Sequence, residues 1–322
     1  MPEIVTVGEA LIDLTQTEED EKHIRRYAAF PGGAPANVAV AAARLGAGAA
    51  FIGKVGRDAF GASIRETLCR NGVDVTGLYE SERDLTTLAV VSVDAGGERS
   101  FAFYRTPGAD TQLTPEEAVQ ALEAYEKRPM FLHFGSVSLT AEPARSATLA
   151  AAERARELGM LLSYDPNYRP SLWPDAETAL ARMKEPLSLC HVLKLAEEEL
   201  ELLTGTQDLE EGTQSLRETY KIPLIVVTLG AGGSFFRMGD DTGRVSSQPV
   251  QVADTNGAGD TFLGALLSRL VLAGGLKELT AEKLAEVLNF ANHAAALTCT
   301  RPGAIPAMPT LSEVLSWKES AR

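Results

Sequence analysis

Chemistry concentrates in one heptapeptide, Asp254-Thr255-Asn256-Gly257-Ala258-Gly259-Asp260, followed by Thr261-Phe262-Leu263-Gly264-Ala265. Residues 247–252 alternate polar and apolar side chains, which predicts a strand, and apolar residues recur at helical spacing from Ala258 to about Leu272. The heptapeptide is then a strand-to-helix turn. Gly257 and Gly259 open backbone conformations closed to other residues, so that unpaired N–H groups converge at the helix start and attract an anion. Asp260 stands where that anion would sit. A carboxylate beside a phosphate is repulsive, whereas a proton acceptor for an incoming hydroxyl gives it a purpose. A helix-capping aspartate is the other reading of this segment alone.

Other residues of the right type fall at strand ends or helix starts. Asp13 follows the apolar strand Ile4-Val5-Thr6-Val7-Gly8, where open α/β sheets place their ligands. Phe30-Pro31-Gly32-Gly33-Ala34-Pro35-Ala36-Asn37 opens a helix expected over 38–45, and its glycines permit close approach of a ligand. Asp165-Pro166-Asn167-Tyr168-Arg169 and Lys194 with Glu197, Glu198 and Glu199 lie at two further strand ends. The acidic triplet suits a helix N-terminus, or a metal through one member. Thr228-Leu229-Gly230-Ala231-Gly232-Gly233 reads as a chain reversal or a phosphate-carrying turn. Gly48 to Val55 nearly matches the Walker A spacing, but a strand's residues fill it and Val55 replaces the Ser or Thr that would hold magnesium. No complete GxGxxG occurs.

The elements that must position these residues form a repeated series. Helices are expected over 58–71, 115–126, 142–158, 175–184, 197–204, 208–219 and 281–298, with strands over 130–134, 160–165, 190–195 and 222–228. Such βα units with short loops indicate a mainly parallel sheet between helical layers. Thr86–Asp94 and Glu98–Arg105 alternate around Ala95-Gly96-Gly97, a hairpin signal ending in Phe103-Tyr104-Arg105. Together with the polar stretch 14–28, this hairpin is expected to stand off the main sheet as a small lid over about 86–107. No repeat or interdomain linker is visible, so all 322 residues read as one α/β unit.

Composition narrows the partners. The formal net charge is −14, which opposes nucleic-acid backbones and anionic membranes. No apolar run reaches about 18 residues and no signal-peptide pattern opens the chain, so a cytoplasmic location is expected. Cys69, Cys190 and Cys299 lack CxxC spacing and the four histidines are scattered, which supports neither a disulfide framework nor a zinc site.

Gly32-Gly33-Ala34-Pro35-Ala36-Asn37 near the start and Asp254 to Ala265 near the end, in this order and spacing, resemble the two signatures of the ribokinase-like (PfkB) carbohydrate kinases. The likeness spans essentially the whole chain. With Gly8 to Asp13, Phe103-Tyr104-Arg105, Tyr164 to Arg169 and Ala304-Ile305-Pro306, it looks most like the fructokinases of bacteria and plants. The resemblance implies a three-layer α/β/α sandwich with a β-sheet lid, and transfer of phosphate from ATP to D-fructose. It makes Asp260 the base and the N–H groups of Gly257, Ala258 and Gly259 an anion hole. Asp13, Gly32, Gly33 and Asn37 would hold sugar hydroxyls, with Tyr104 and Arg105 from the lid and Arg169 on the sugar or its incoming phosphate. Lys194, Thr228, Gly230 and Gly233 would line the ATP phosphates and ribose, and Asn256, Asn289 and Asn292 would complete the nucleotide site.

The implied cofactor set is ATP and Mg²⁺, with Glu199 linked to magnesium, and extends to K⁺ held by main-chain carbonyls of Asp254, Asn256, Thr298, Arg301 and Gly303. Two positions depart from the family: Ala196 stands where many relatives carry an Asn three residues before that glutamate, and Ala307 replaces a side-chain oxygen. The resemblance also implies a homodimer joined through the lids. The same fold serves 2-keto-3-deoxygluconate kinases, whose substrate carboxylate Tyr104, Arg105 and Arg169 would suit equally. A non-catalytic, sugar-responsive regulator is the reading from another class, and the presence of Asp260 counts against it.

Overall fold

Runs such as Ile4-Val5-Thr6-Val7 and Leu224-Ile225-Val226-Val227 carry apolar side chains on both faces of a strand, which is stable only where helices cover both faces of the sheet. The computed structural model, which describes residues 1–19, 24–93 and 99–320, has that arrangement. The chain begins with β1 (Ile4–Val7), β2 (Leu11–Glu19), β3 (Arg25–Gly32), α1 (Ala34–Arg44), β4 (Ala49–Gly56) and α2 (Ala59–Arg70). There follow β5 (Val73–Asp74), β6 (Leu78–Ser81), β7 (Leu88–Val93), β8 (Arg99–Tyr104) and α3 (Pro115–Glu123). Alternation then sets in: β9 (Phe131–Gly135), α4 (Ala144–Glu157), β10 (Leu161–Asp165), α5 (Ala176–Lys184), β11 (Val192–Ala196), α6 (Glu197–Thr204), α7 (Leu209–Tyr220) and β12 (Leu224–Thr228). The hairpin β13 (Ser234–Met238) and β14 (Asp241–Val245) leads to α8 (Ala258–Leu272), α9 (Ala281–Thr298) and α10 (Leu311–Ser320).

The large sheet runs β14-β13-β12-β11-β10-β9-β1-β4-β5, with β6 also paired to β4. Pairing is parallel from β12 to β5, and antiparallel only for β12 with β13 and β13 with β14. One core lies under α1, α2, α8, α9 and α10 and takes Phe51 and Val226 from the strands. The other lies under α3 to α7 and takes Ile225 and Val227. This is the expected three-layer α/β/α sandwich with a mainly parallel sheet. A second sheet, ordered β3-β2-β7-β8, stands apart from it. Its strands come from the two stretches expected to leave the main sheet, while the Ala95-Gly96-Gly97 turn lies outside the described residues.

Two boundaries differ from expectation. Residues 247–252 form no strand: Pro249 lacks a donor, and Ala253 and Asp254 instead donate their N–H groups to the Cys299 carbonyl at 2.8 and 3.2 Å. Helix α1 starts at Ala34 rather than Val38, because proline fits a helix's first turn and Gly33, at φ 107°, supplies the entry angle. The earlier start puts Asn37 in the first turn.

Helices α1 and α8 are pressed together through small residues. A Cβ added to Gly264 would fall 2.5 Å from the Ala41 Cβ and 2.9 Å from both the Ala42 nitrogen and the Val38 oxygen. Gly264→Ala should therefore lower unfolding free energy by about 1–3 kcal/mol through overpacking, read as a lower urea midpoint at unchanged m-value. Wild-type stability in that variant would contradict so close a contact.

Candidate active site

The C-terminal ends of β1, β10 and β11 open towards the starts of α1 and α8, with the second sheet facing them. Two adjoining cavities lie between, one of about 660 Å³ and one of about 90 Å³, and Asn167, Arg169, Asn256 and Asp260 line both. Asp13, Gly33 and Asn37 line the smaller, and Lys194, Gly257 and Gly259 the larger. Residues 250 positions apart in the chain thus share one cleft.

Asp260 sits in the first turn of α8 with its carboxylate held by Asn37, whose Nδ2 donates to Oδ2 at 2.8 Å. Burial raises the Asp260 carboxyl to about 6, the Asn37 hydrogen bond opposes the rise, and Asp165 adds to it. Gly257 at φ 75° makes the helix entry, and a Cβ there would meet the Ala304 Cβ at 2.8 Å. The amide of Ala258, expected in the anion hole, turns back on the Thr255 carbonyl at 3.3 Å. Lys194 reaches under Gly259, with Nζ 3.3 Å from where a Cβ would be. Its ammonium pairs with Asp165 at 2.9 Å, both side chains being buried. Burial works against that charge, but Asp165, Glu199 and Asp260 outweigh it and hold Lys194 protonated.

Asp13 faces Asp260 across the cleft. Burial raises its carboxyl to about 6, a hydrogen bond from the Asn256 side chain lowers it, Asp260 raises it and Arg169 lowers it. Arg169 is exposed and donates Nη1 to the Tyr168 carbonyl at 3.1 Å, which leaves a cation at the mouth. Gly32 sits against Asp13: a Cβ would lie 2.9 Å from Asp13 Oδ2.

Several expected residues lie elsewhere. Arg105 does not reach the cleft: its Nη2 pairs with buried Asp110 at 2.7 Å, its Nη1 donates to Thr140 Oγ1 at 2.6 Å and its Nη2 to the Val137 carbonyl at 3.1 Å. Tyr104 is 68% exposed on β8 and lines neither cavity. Thr228, Gly230 and Gly233 form the turn between β12 and β13 beyond the larger cavity, with Thr228 Oγ1 donating to the Leu195 carbonyl at 3.2 Å. Buried Asn292 donates Nδ2 to the Val245 carbonyl at 2.9 Å, tying α9 to the end of β14, and Asn289 is half-buried one turn earlier.

The expected metal ligands divide in the same way. Both Glu199 oxygens accept backbone N–H groups, from Tyr168 and Ala196, each at 2.8 Å. Burial and Asp165 push its carboxyl up, and Lys194 pulls it down. Among the described residues no group of three His, Cys, Asp or Glu could cage a metal. With both Glu199 oxygens on backbone amides, a magnesium ion brought by ATP would keep most of its waters there. Asp254 draws two loops together, accepting the Asn256 and Gly303 amides at 3.0 Å each, while the Arg301 amide donates to the Thr298 carbonyl at 3.3 Å. Asp254 thus puts a carboxylate between two of the loops whose carbonyls were expected to hold potassium.

The sequence reading missed Glu9, which is buried at the cleft wall, and the Lys194 to Asp165 pair. A glutamate two residues past an apolar strand was the available signal for the first.

Comparison with known proteins bears on this geometry. The family model described as pfkB family carbohydrate kinase matches residues 1–311. The chain is 45% identical over 321 residues to Fructokinase-1 of Oryza sativa subsp. japonica, covering 99% of this chain and 98% of that protein. It superposes on the crystal structure of Xylella fastidiosa fructokinase with bound ATP at a TM-score of 0.89, with 35% identity and all of both chains covered. A fructokinase double mutant from Vibrio cholerae O395, in fructose, ADP and potassium ion bound form, gives 0.87 at 37% identity over 98% of each chain.

The electrostatics of the cleft can be tested without a ligand. Carboxyls raised to about 6, from an ordinary value near 4, bind protons more tightly folded than unfolded. The stability they contribute is complete below about pH 4 and is lost as pH rises through about 6. Asp260→Asn should therefore raise Tm by about 1–3 °C at pH 7.5 and leave it nearly unchanged at pH 4.5. An equal loss of Tm at both pH values would contradict the raised carboxyl.

Proposed function

The chain belongs to the pfkB family of carbohydrate kinases, and from that membership we propose that it is an ATP-dependent fructokinase whose transfer step runs through Asp260. The observation that carries this reading is the Asn37-held carboxylate at the start of α8, at the junction of two cavities. A hexose held by Asp13, Gly33 and Asn37 occupies the smaller cavity, and the nucleotide phosphates enter the larger one. Asp260 accepts the proton of the sugar 6-hydroxyl while the sugar's 6-oxygen forms the bond to the γ-phosphorus of ATP, and ADP leaves with the electrons of the broken P–O bond. The transition state is loose, so catalysis rests on alignment and on charge stabilisation.

Two devices supply that stabilisation in an acidic protein. The N–H groups of Gly257 and Gly259 lie at the positive end of α8, and Lys194 and Arg169 bring cations from two strand ends. Glu199 would face, through water, a magnesium ion brought by ATP that would neutralise phosphate charge, and the loops held by Asp254 would carry a potassium ion that strengthens the anion hole. The Asp254 carboxylate keeps those loops in register.

The rival within the family, 2-keto-3-deoxygluconate, brings a carboxylate that needs a free cation. Arg105 is already neutralised by Asp110, so among the described residues only Arg169 brings a cation to the sugar end of the cleft, which favours an uncharged hexose. The second sheet serves as the lid, and closing it keeps water from the γ-phosphate. Tyr27 on β3 and Tyr104 on β8, 40% and 68% exposed, suit a homodimer joined through these sheets. The reading includes a cytoplasmic location, where ATP is available.

Asp260→Asn should lower kcat by about 10³-fold or more while calorimetry still records fructose binding within about threefold of wild type. A kcat within tenfold of wild type would remove Asp260 from the transfer step. Coupled assays with fructose, ribose and 2-keto-3-deoxygluconate should rank fructose first in kcat/KM, and a preference for the acid would overturn the substrate. Sedimentation at assay concentration should give a dimer, and a monomer would exclude the lid interface.

A further inference from the structure

Glu9, between β1 and β2, is 3% exposed and lines the smaller cavity. Its Oε1 accepts the N–H of Ala34, the first residue of α1, at 3.0 Å. That helix begins at Gly33, which has no side chain to cap it, so a carboxylate 25 residues away supplies the cap. The Glu9 main chain closes the same joint, since a Cβ on Gly33 would lie 2.5 Å from the Glu9 carbonyl oxygen. One turn further on, Asn37 holds Asp260. Glu9 therefore grips the end of α1, whose first turn presents the asparagine that holds Asp260.

Two oxygens in this chain of contacts, Glu9 Oε2 and Asn37 Oδ1, are buried and have no hydrogen-bond partner among the described residues. An unpartnered oxygen at a cavity wall is costly unless it takes a proton or meets a ligand. The charged groups acting on Glu9 are Arg105, which favours its anion, and Asp110, which opposes it. Asp13, Asp260 and Arg169 stand on other walls of the same cavity. Burial pushes the Glu9 carboxyl up to about 7, so both forms are present near neutral pH.

We propose that Glu9 is a positioning residue for the transfer step, its carboxylate fixing the first turn of α1 so that Asn37 orients Asp260 towards the substrate hydroxyl. The proposal rests on the kinase reading. A carboxylate accepts an amide N–H about twice as strongly as a neutral group does, so protonation of Glu9 loosens the joint and slows transfer. The effect belongs in kcat, because the alignment matters at the reacting oxygen rather than in binding the rest of the sugar.

The test compares wild type, Glu9→Gln and Glu9→Ala in kcat and KM for fructose from pH 5.5 to 9. Gln keeps an acceptor for the Ala34 amide but cannot ionise, whereas Ala removes the cap. Expected at pH 8 are a kcat loss of about 3–10-fold for Gln and about 30-fold or more for Ala, with KM rising less than about threefold in each. The wild-type acid limb should hold ionisations near 6 and near 7, and Gln should retain only the lower one. A Gln profile superimposable on wild type, or a loss confined to KM, would overturn the proposal. If Ala does not fold, the Gln profile alone decides. Failure of wild type to phosphorylate fructose would instead refute the substrate reading, and the Glu9 comparison would then be made on whichever sugar turns over.

Discussion

A single hydrogen bond, from Asn37 Nδ2 to Asp260 Oδ2 at 2.8 Å, joins two helix starts 223 residues apart. Everything else in the cleft is arranged around its survival. Helices α1 and α8 must approach closely enough for an amide to reach a carboxylate, which requires the stripe of small residues met by Gly264. Each helix must also begin where its first turn can project one polar group into the cleft. Gly33 and Gly257, both at positive φ, set those entry points. With one carboxylate oxygen held, the other keeps a defined direction, which is what a base for a single hydroxyl needs.

The charge arrangement is economical for a chain at −14. The carboxylates Glu9, Asp13 and Asp260 line the cleft with Lys194 and Arg169, and Asp165 pairs with Lys194 behind it. Lys194 is tied to Asp165 and kept charged in part by Asp260, while Arg169 stays at the mouth. Arg105 goes to Asp110 and joins the ends of β7 and β8 to the body, since Thr87 also binds Asp110. A cation that looked like a ligand for substrate is instead an anchor for the second sheet. Among the described residues the cleft therefore keeps Arg169 as the cation at its sugar end, placed to meet an incoming phosphate but poorly suited to hold a charged substrate as well.

The layers and the sheet were legible in the sequence because they rest on local periodicity. Apolar pairs in β1, β9, β10, β11 and β12 require two covered faces, and helices between them follow. The cleft was legible where glycine spacing and a polar side chain coincided, Asn37 after Gly32-Gly33 and Asp260 after Gly257. What escaped depends on tertiary neighbours. Nothing local shows that Asp110 captures Arg105, that Val245 takes the Asn292 amide, or that Tyr168 and Ala196 occupy Glu199. The expected strand over 247–252 failed because alternation alone offers no pairing partner. Glu9 was passed over because its contact with Ala34 exists only once the folded chain brings the two together.

The most direct measurement is a carbon-13 NMR titration of the Asp260 carboxyl, in wild type and in Asn37→Ala. Burial raises that carboxyl and the Asn37 amide restrains the rise, so wild type should titrate near 6 and the variant distinctly higher. An Asp260 that titrates near 4 in both proteins would mean that its carboxylate faces bulk water and is not held by Asn37, and the account of the base would fail.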